Sequence, residues 1–474
     1  MSATLIEQHP LYDTLPVGQD VIFTVSNTSV VSSYTNVKFI AEVHISAGQP
    51  PNPSTTTDIV GTFKTTPNNA GVGMFDFRPI IESFVSADHL ARKDSLYKGT
   101  LNEVGTNVPI HLIDQFSGNL NTMRYLFIRF KIQYIDAGAL VTTGIKDSEL
   151  YNIFNGYLKF TDVLDLANTP YTQNTGNNFG YPIPFTFNLF SPQSRFLSNA
   201  PTTQYANIED YGTVSFLTID TIPTRFAIIY FDSTGALLNL EYANVTSGSN
   251  LSTPSDANRR LFYFGCFPAN LRNWSTMFNG LVTAGTIQGG YYLIGALNSD
   301  GANLGIAYTI NVNCPTLKGY EPIRLCWLNQ WGAWDYYTFT MKSSKTISTK
   351  GSTYQQLAGS WNESAYRLDR FKGGKKAFRV NATEKIIMNT DFVNESESAW
   401  FEELINSPEV YILEGFQSDE QSFEPTITIP AMNQYVTPVR LTTSSYTKKT
   451  VANDKLMQYT FEVEKSKTLR TQAV

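Results

Sequence analysis

Along much of this chain apolar and polar residues alternate with a period of two, the mark of half-buried β-strands. Over 37–45, Val37, Phe39, Ala41, Val43 and Ile45 share one face. Over 125–135, Leu126, Ile128, Phe130, Ile132 and Tyr134 share a face, with Arg129 and Lys131 opposite. Similar runs predict strands over 21–25, 59–65, 74–77, 213–219, 226–231, 261–267, 291–297 and 410–413, and two more within 441–463. The most distinctive stretch is 320–342. There Ile323, Leu325 and Trp327 alternate with Arg324, Cys326 and Leu328. Beyond Gly332, Tyr337, Phe339 and Met341 alternate with Tyr336, Thr338 and Thr340. This predicts a β-hairpin with Trp331 and Trp334 in its turn. Gly373-Gly374, between 366–371 and 377–382, predicts another.

Helical signals are few. Asn394 followed three residues later by Glu397 predicts a capped helix over 394–406, with Trp400, Phe401, Leu404 and Ile405 on one face and Glu402 and Glu403 toward solvent. Ser407-Pro408 ends it. Pro79 opens a short helix over 79–85. Residues 90–121 show no period and read as a polar excursion, and the chain beyond Lys465 reads as a mobile tail. The pattern predicts an all-β fold: two or three antiparallel β-sandwich-like domains with one or two short covering helices. The expected divisions are 1–168, 191–318 and 319–474. Residues 169–190, rich in Asn, Gly, Thr and Pro, serve as a linker or extended arm.

Composition adds two points. Charged residues are only 16% of the chain, below the usual quarter or so, which suggests that other protein covers much of the surface. Net charge is −6 with no basic stripe, so no specific nucleic-acid site is expected. Lys372, Lys375 and Lys376, and likewise Lys448 and Lys449, read as solvated turn residues. The three cysteines, Cys266, Cys314 and Cys326, are odd in number and widely spaced. That argues against a disulfide framework or zinc site and for a reducing compartment. No secretory leader is read at the N-terminus, and no apolar run is long enough for a membrane span.

Candidate chemistry is sparse. His9, His44, His89 and His111 have no partner at metal-ligand spacing, and His44 reads as a surface or packing residue. Gly374-Lys375 lies between strands and lacks the upstream glycine of a phosphate loop. No nucleophile elbow is present. Asp162 with Asp165, and Asp76 with Glu82, are possible carboxylate pairs for glycoside hydrolysis, but nothing enriches them. The expectation is therefore no enzyme, with no catalytic, cofactor-binding or metal residues. For Trp331 and Trp334 the ordinary use is core packing. The alternatives are a stacking platform for sugars and, better, a subunit contact, which makes them the candidate contact residues.

Several segments carry a resemblance. They are His9-Pro10 leading to the strand that reaches Val25, and Gly73-Met74-Phe75-Asp76-Phe77-Arg78-Pro79-Ile80-Ile81. Further on come Asn155-Gly156-Tyr157-Leu158, and Arg195-Phe196-Leu197-Ser198-Asn199 with Pro201. The last are Trp327-Leu328-Asn329 through Gly332, Trp334 and Asp335, and Asn389-Thr390-Asp391 through Trp400 to Ser407-Pro408-Glu409-Val410. In this order the chain resembles virion proteins of tailed phages that infect Bacteroidetes, including crAss-like phages. The resemblance implies a tail or neck component, a ring, hub or baseplate-like subunit. Such a subunit forms a cyclic homo-oligomer beside other tail, neck or portal-proximal proteins. It assembles in the host bacterial cytoplasm and ends in the virion tail. Two other functions compete. A receptor- or carbohydrate-binding tail protein would place aromatics at a distal tip of a trimeric fibre, but no repetitive shaft is visible. A polysaccharide-degrading enzyme would need a carboxylate pair in a groove, and its β-helix form would show short repeats.

Overall fold

The computed structural model describes residues 4–10, 14–47, 51, 58–91, 109–113, 115–159, 195–217, 223–245, 261–298, 300–303, 307–313, 319–359, 364–414, 436–445, 447 and 457–473. Strands dominate, in sheets that are mostly antiparallel, with a few short helices, as expected for an all-β fold. The described residues fall into two compact units. The first is drawn from Met1–Pro315 and Leu328–Tyr336, the second from Thr316–Trp327, Tyr337–Glu414 and Gln434–Val474. The expected division near 319 lies close to the chain's first passage between units, but 1–168 and 191–318 share one unit. The strand Phe116–Gly118 is the reason. It pairs with Leu261–Gly265 in a four-stranded sheet that also holds Thr213–Leu217 and Arg195–Phe196. That strand sits inside the stretch 90–121, which reads as irregular from sequence. Residues 169–190 lie outside the described residues.

The N-terminal part of the first unit is a sandwich. Leu5–Gln8, Ile22–Ser26 and Val72–Asp76 form a three-stranded sheet. A six-stranded sheet is built around Thr35–Ser46 and Met123–Asp136, paired antiparallel. Its edge at Tyr151–Phe154 takes Thr14–Pro16 in parallel. Alternation puts Phe23 and Phe75 on the inner face of the small sheet and Phe130 on that of the large one. Their rings meet at 5.6 Å (Phe23) and 5.8 Å (Phe75) between centroids. Burying one such side chain contributes about 1.5–3 kcal/mol.

A second pair of sheets lies further along the same unit. Thr203–Ala206, Tyr308–Val312, Tyr291–Leu297, Arg225–Phe231 and Leu237–Asn244 form five strands in that spatial order. Phe226 of this sheet stacks on Phe264 of the four-stranded sheet at 4.4 Å. Two helices, Pro268–Trp274 and Thr276–Thr283, follow the strand Leu261–Gly265. Pro268 begins the first, and the Ser275 side chain caps the second by accepting from the Phe278 N–H at 2.8 Å. Phe278 packs on Tyr230 and Tyr292.

The second unit is one eight-stranded sheet with a helix on it. The helix Glu395–Asn406 carries the expected capping box: Asn394 accepts from the Glu397 N–H and Glu397 from the Asn394 N–H. Trp400 and Phe401 lie over Trp327 at 4.8 and 6.3 Å, and Phe401 meets Phe461 at 5.6 Å. Glu403 is buried rather than solvent-facing. The glycine-marked hairpin differs from expectation. Its strands are Ser343–Gln356 and Gly374–Asn389, and 366–371 is not a strand. The C-terminal residues Arg470–Ala473 form a strand on Arg379–Ala382 instead of a mobile tail.

Candidate functional site

The aromatic hairpin forms, with strands Ile323–Leu328 and Trp334–Phe339, so Trp334 opens the second strand rather than lying in the turn as expected, and the turn with that strand's start is an interior feature. Trp331 is 0% and Trp334 2% exposed, so neither indole offers a surface to a neighbouring subunit, which corrects their reading as contact residues. Asn329 organises the turn. Its Oδ1 accepts from the N–H of Trp331 and of Ala333, both at 3.0 Å, and its Nδ2 donates to Leu197 O at 2.9 Å. Gly332 has φ +74°, and a Cβ there would lie 2.1 Å from Asn155 O. Only glycine satisfies both the backbone and that approach.

The turn completes a buried polar cluster of the first unit. Trp334 Nε1 donates to Asp88 O at 2.8 Å, and Trp331 Nε1 to Asn199 Oδ1 at 3.3 Å. Tyr336 OH meets His111 Nδ1 and Thr213 Oγ1, both at 2.9 Å. Ser198 Oγ donates to Asp335 at 2.7 Å. The Asp88 carboxylate accepts from the N–H groups of Leu120 and Asn121 and from the hydroxyls of Thr122 and Tyr263. Burial nevertheless raises the pKa of its carboxyl against those donors, and pushes that of the Tyr263 hydroxyl well above its ordinary value. A void lined by Ser198, Ser215, Tyr308 and Asp335 has room for about one water, and the buried Ser215 hydroxyl has no protein partner. Ser215 aside, these groups satisfy one another as a structural network should.

The other candidates are dispersed. His44 is buried edge-on against Phe127, and burial lowers its basicity, which is a packing role. Asp76 accepts from the Arg78 N–H at 3.0 Å, and Glu82 accepts from Tyr157 OH at 2.8 Å, so each has a structural task. Asp162, Asp165, Cys314, Lys448 and Lys449 lie outside the described residues. Cys266 and Cys326 are buried in different units. Among the described residues no group of three His, Cys, Asp or Glu could hold a metal ion, and no helix is long and apolar enough to cross a membrane.

The most conspicuous surface feature is the hairpin Ser343–Gln356 with Gly374–Asn389, an arm of the second unit whose returning strand also pairs with Arg470–Ala473 and Thr460–Lys465 and whose outermost turn has two strands alone among the described residues. Ser, Thr and Lys fill its first strand, which is exposed or half-exposed throughout its 14 residues. This strand ends the eight-stranded sheet and leaves an edge about 45 Å long open. At the root, Lys385 pairs with Glu462 at 2.8 Å and Lys465 with Glu384 at 3.0 Å. The Lys385 ammonium gains from Glu462 and is held above its usual range, while Glu462 is held below its own. At the tip the character changes. Leu357, Tyr366, Leu368, Phe371 and Phe378 are 54–73% exposed. Lys372 lies 5.2 Å over the Phe371 ring and pairs with Asp369. Gly373 and Gly374, at φ +92° and +80°, close the turn into the returning strand. Sequence reasoning expected a hairpin at Gly373-Gly374 with solvated lysines here, but not the exposed apolar tip. The signal it passed over is the interleaving of Tyr366, Leu368 and Phe371 with Arg367, Arg370 and Lys372. No protein-family model matches the chain, and no curated protein matches it.

Proposed function

We propose that the chain is a structural subunit of a tailed-phage virion, a ring, hub or baseplate-like component of the tail or neck that assembles in several copies around the tail axis. The ordered segments that resemble such proteins motivate the phage assignment. The observation that carries the assembly role is the arm. A solitary protein has no use for Leu357, Leu368 and Phe371 held in water together at one loop tip, and contiguous apolar exposure of this kind marks interaction surfaces. A subunit covers such groups on assembly. The low charge density agrees, since a subunit enclosed by neighbours needs less charge for solubility.

Cryo-electron microscopy of phage particles that carry this chain tests the proposal. The expected result is density for the chain at the tail or neck, at a fixed copy number. Density confined to fibre tips, or absent from every particle, overturns it. A second reading, a carbohydrate-binding tail protein, draws on the exposed rings of Tyr366, Phe371 and Phe378, whose faces could stack on sugars. Glycan binding that disappears in Tyr366→Ala with Phe371→Ala would select that reading.

A further inference from the structure

We propose that the arm tip docks on a second copy of this chain, on the acidic remainder outside that copy's own arm. The proposal rests on the assembly reading above and names the surface and the partner within it. Its first support is exposure. Leu357 is 63%, Leu368 72% and Phe371 73% accessible, so the chain does not cover its own tip.

The second support is charge separation. Residues 343–389 hold nine Lys and Arg against three Asp and Glu, whereas the rest of the chain holds twenty-six against thirty-eight. The arm is thus net positive in a chain of net −6. Complementary fields of this kind draw copies together and orient them. A nucleic acid would engage the basic residues but leave Leu357 and Leu368 in water, whereas a protein face can cover them.

The third support is preorganisation. Tyr366 OH donates to Ala358 O at 2.6 Å, the Gly373 N–H to Gln356 Oε1 at 3.3 Å, and Lys376 Nζ to Phe371 O at 3.1 Å. A tip already fixed by its own hydrogen bonds loses little freedom on docking.

The test uses the full chain in sedimentation-velocity and light-scattering measurements across a salt series. Wild type is expected to self-associate, and more weakly as salt rises. Leu368→Ser with Phe371→Ser, and separately Lys375→Glu with Lys376→Glu, should each weaken association about tenfold or more. Leu368, Phe371 and Lys375 are exposed and Lys376 half-exposed, and unchanged circular dichroism confirms that the variants fold. A photoreactive residue in place of the exposed Ser364, in a mixture of 15N-labelled and unlabelled copies, should cross-link to residues outside 343–389 of the oppositely labelled copy. Variants that associate like wild type, or cross-links confined within one copy, overturn the docking proposal and leave the assembly reading standing. A wild-type chain that stays monomeric at every salt and concentration overturns both. Binding of short duplex DNA that the lysine variant abolishes, without self-association, overturns the proposal in favour of a nucleic acid.

Discussion

Asp88 accepts hydrogen bonds on its carboxylate from two backbone N–H groups and two hydroxyls while almost wholly buried. Burial outweighs the donors, so the folded chain binds the Asp88 proton more tightly than the unfolded chain does. Stability contributed at this site is therefore greatest in acid and falls as pH rises from the ordinary 3.8 through the raised value. Asp88→Asn should flatten that dependence. The amide oxygen keeps the Leu120 and Asn121 N–H groups, and the Thr122 and Tyr263 hydroxyls can turn to accept from the amide nitrogen. Asp88→Ala strands the donors and should cost about 3–5 kcal/mol. Urea midpoints between about pH 4 and pH 8 distinguish the two variants. Trp331→Ala and Trp334→Ala are core deletions and should each destabilise the chain by about 3–5 kcal/mol in the same assay. A midpoint unmoved by either would return that indole to the surface.

The helix Glu395–Asn406 was legible because its cap, apolar face and Ser407-Pro408 stop all agree locally. Asn394→Ala should cost about 1 kcal/mol, read as a lower thermal midpoint of the second unit. The arm was not legible. Strand signals depend on one face being buried, and Ser343–Gln356 is exposed on both, so its Ser, Thr and Lys show no apolar period. Tyr366, Leu368 and Phe371 alternate with Arg367, Asp369 and Arg370 and mimic a strand, yet the returning strand begins only at Gly374. Replacing 357–373 with Asn-Gly joins the paired residues Gln356 and Gly374 by a two-residue turn. Because most of the described residues among those excised are exposed, thermal stability should change by less than about 1 kcal/mol. A large loss would show that the tip supports the fold. The buried hairpin turn was hidden for another reason. Alternation reports which strand face is covered, but Asn329 and Asp335 look like surface turn residues until Leu197 and Ser198 arrive from elsewhere to satisfy them.

At the scale of the molecule, the all-β class followed from patterning, whereas the sheet that joins Phe116–Gly118 to Leu261–Gly265 depends on three residues no period could mark. The first unit also depends on residues that lie beyond Pro315 in the chain. The stretch 328–336 belongs to that unit, and removing it would take away one hydrogen-bond partner each of Asp88 O, Asn199, Ser198, His111 and Thr213. A fragment ending at 315 should keep strand content in far-ultraviolet circular dichroism but lose near-ultraviolet signal and protease resistance. A fragment as resistant as the full chain would show the turn to be dispensable. The same arrangement sets a clock on biosynthesis. Asp88 and Trp334 are 246 residues apart, which at about 5–20 residues per second is a wait of roughly 12–50 s on the ribosome. Through that interval the largest unit of the protein is translated yet unfinished, so it is most exposed to chaperones and proteases before its last core residues emerge.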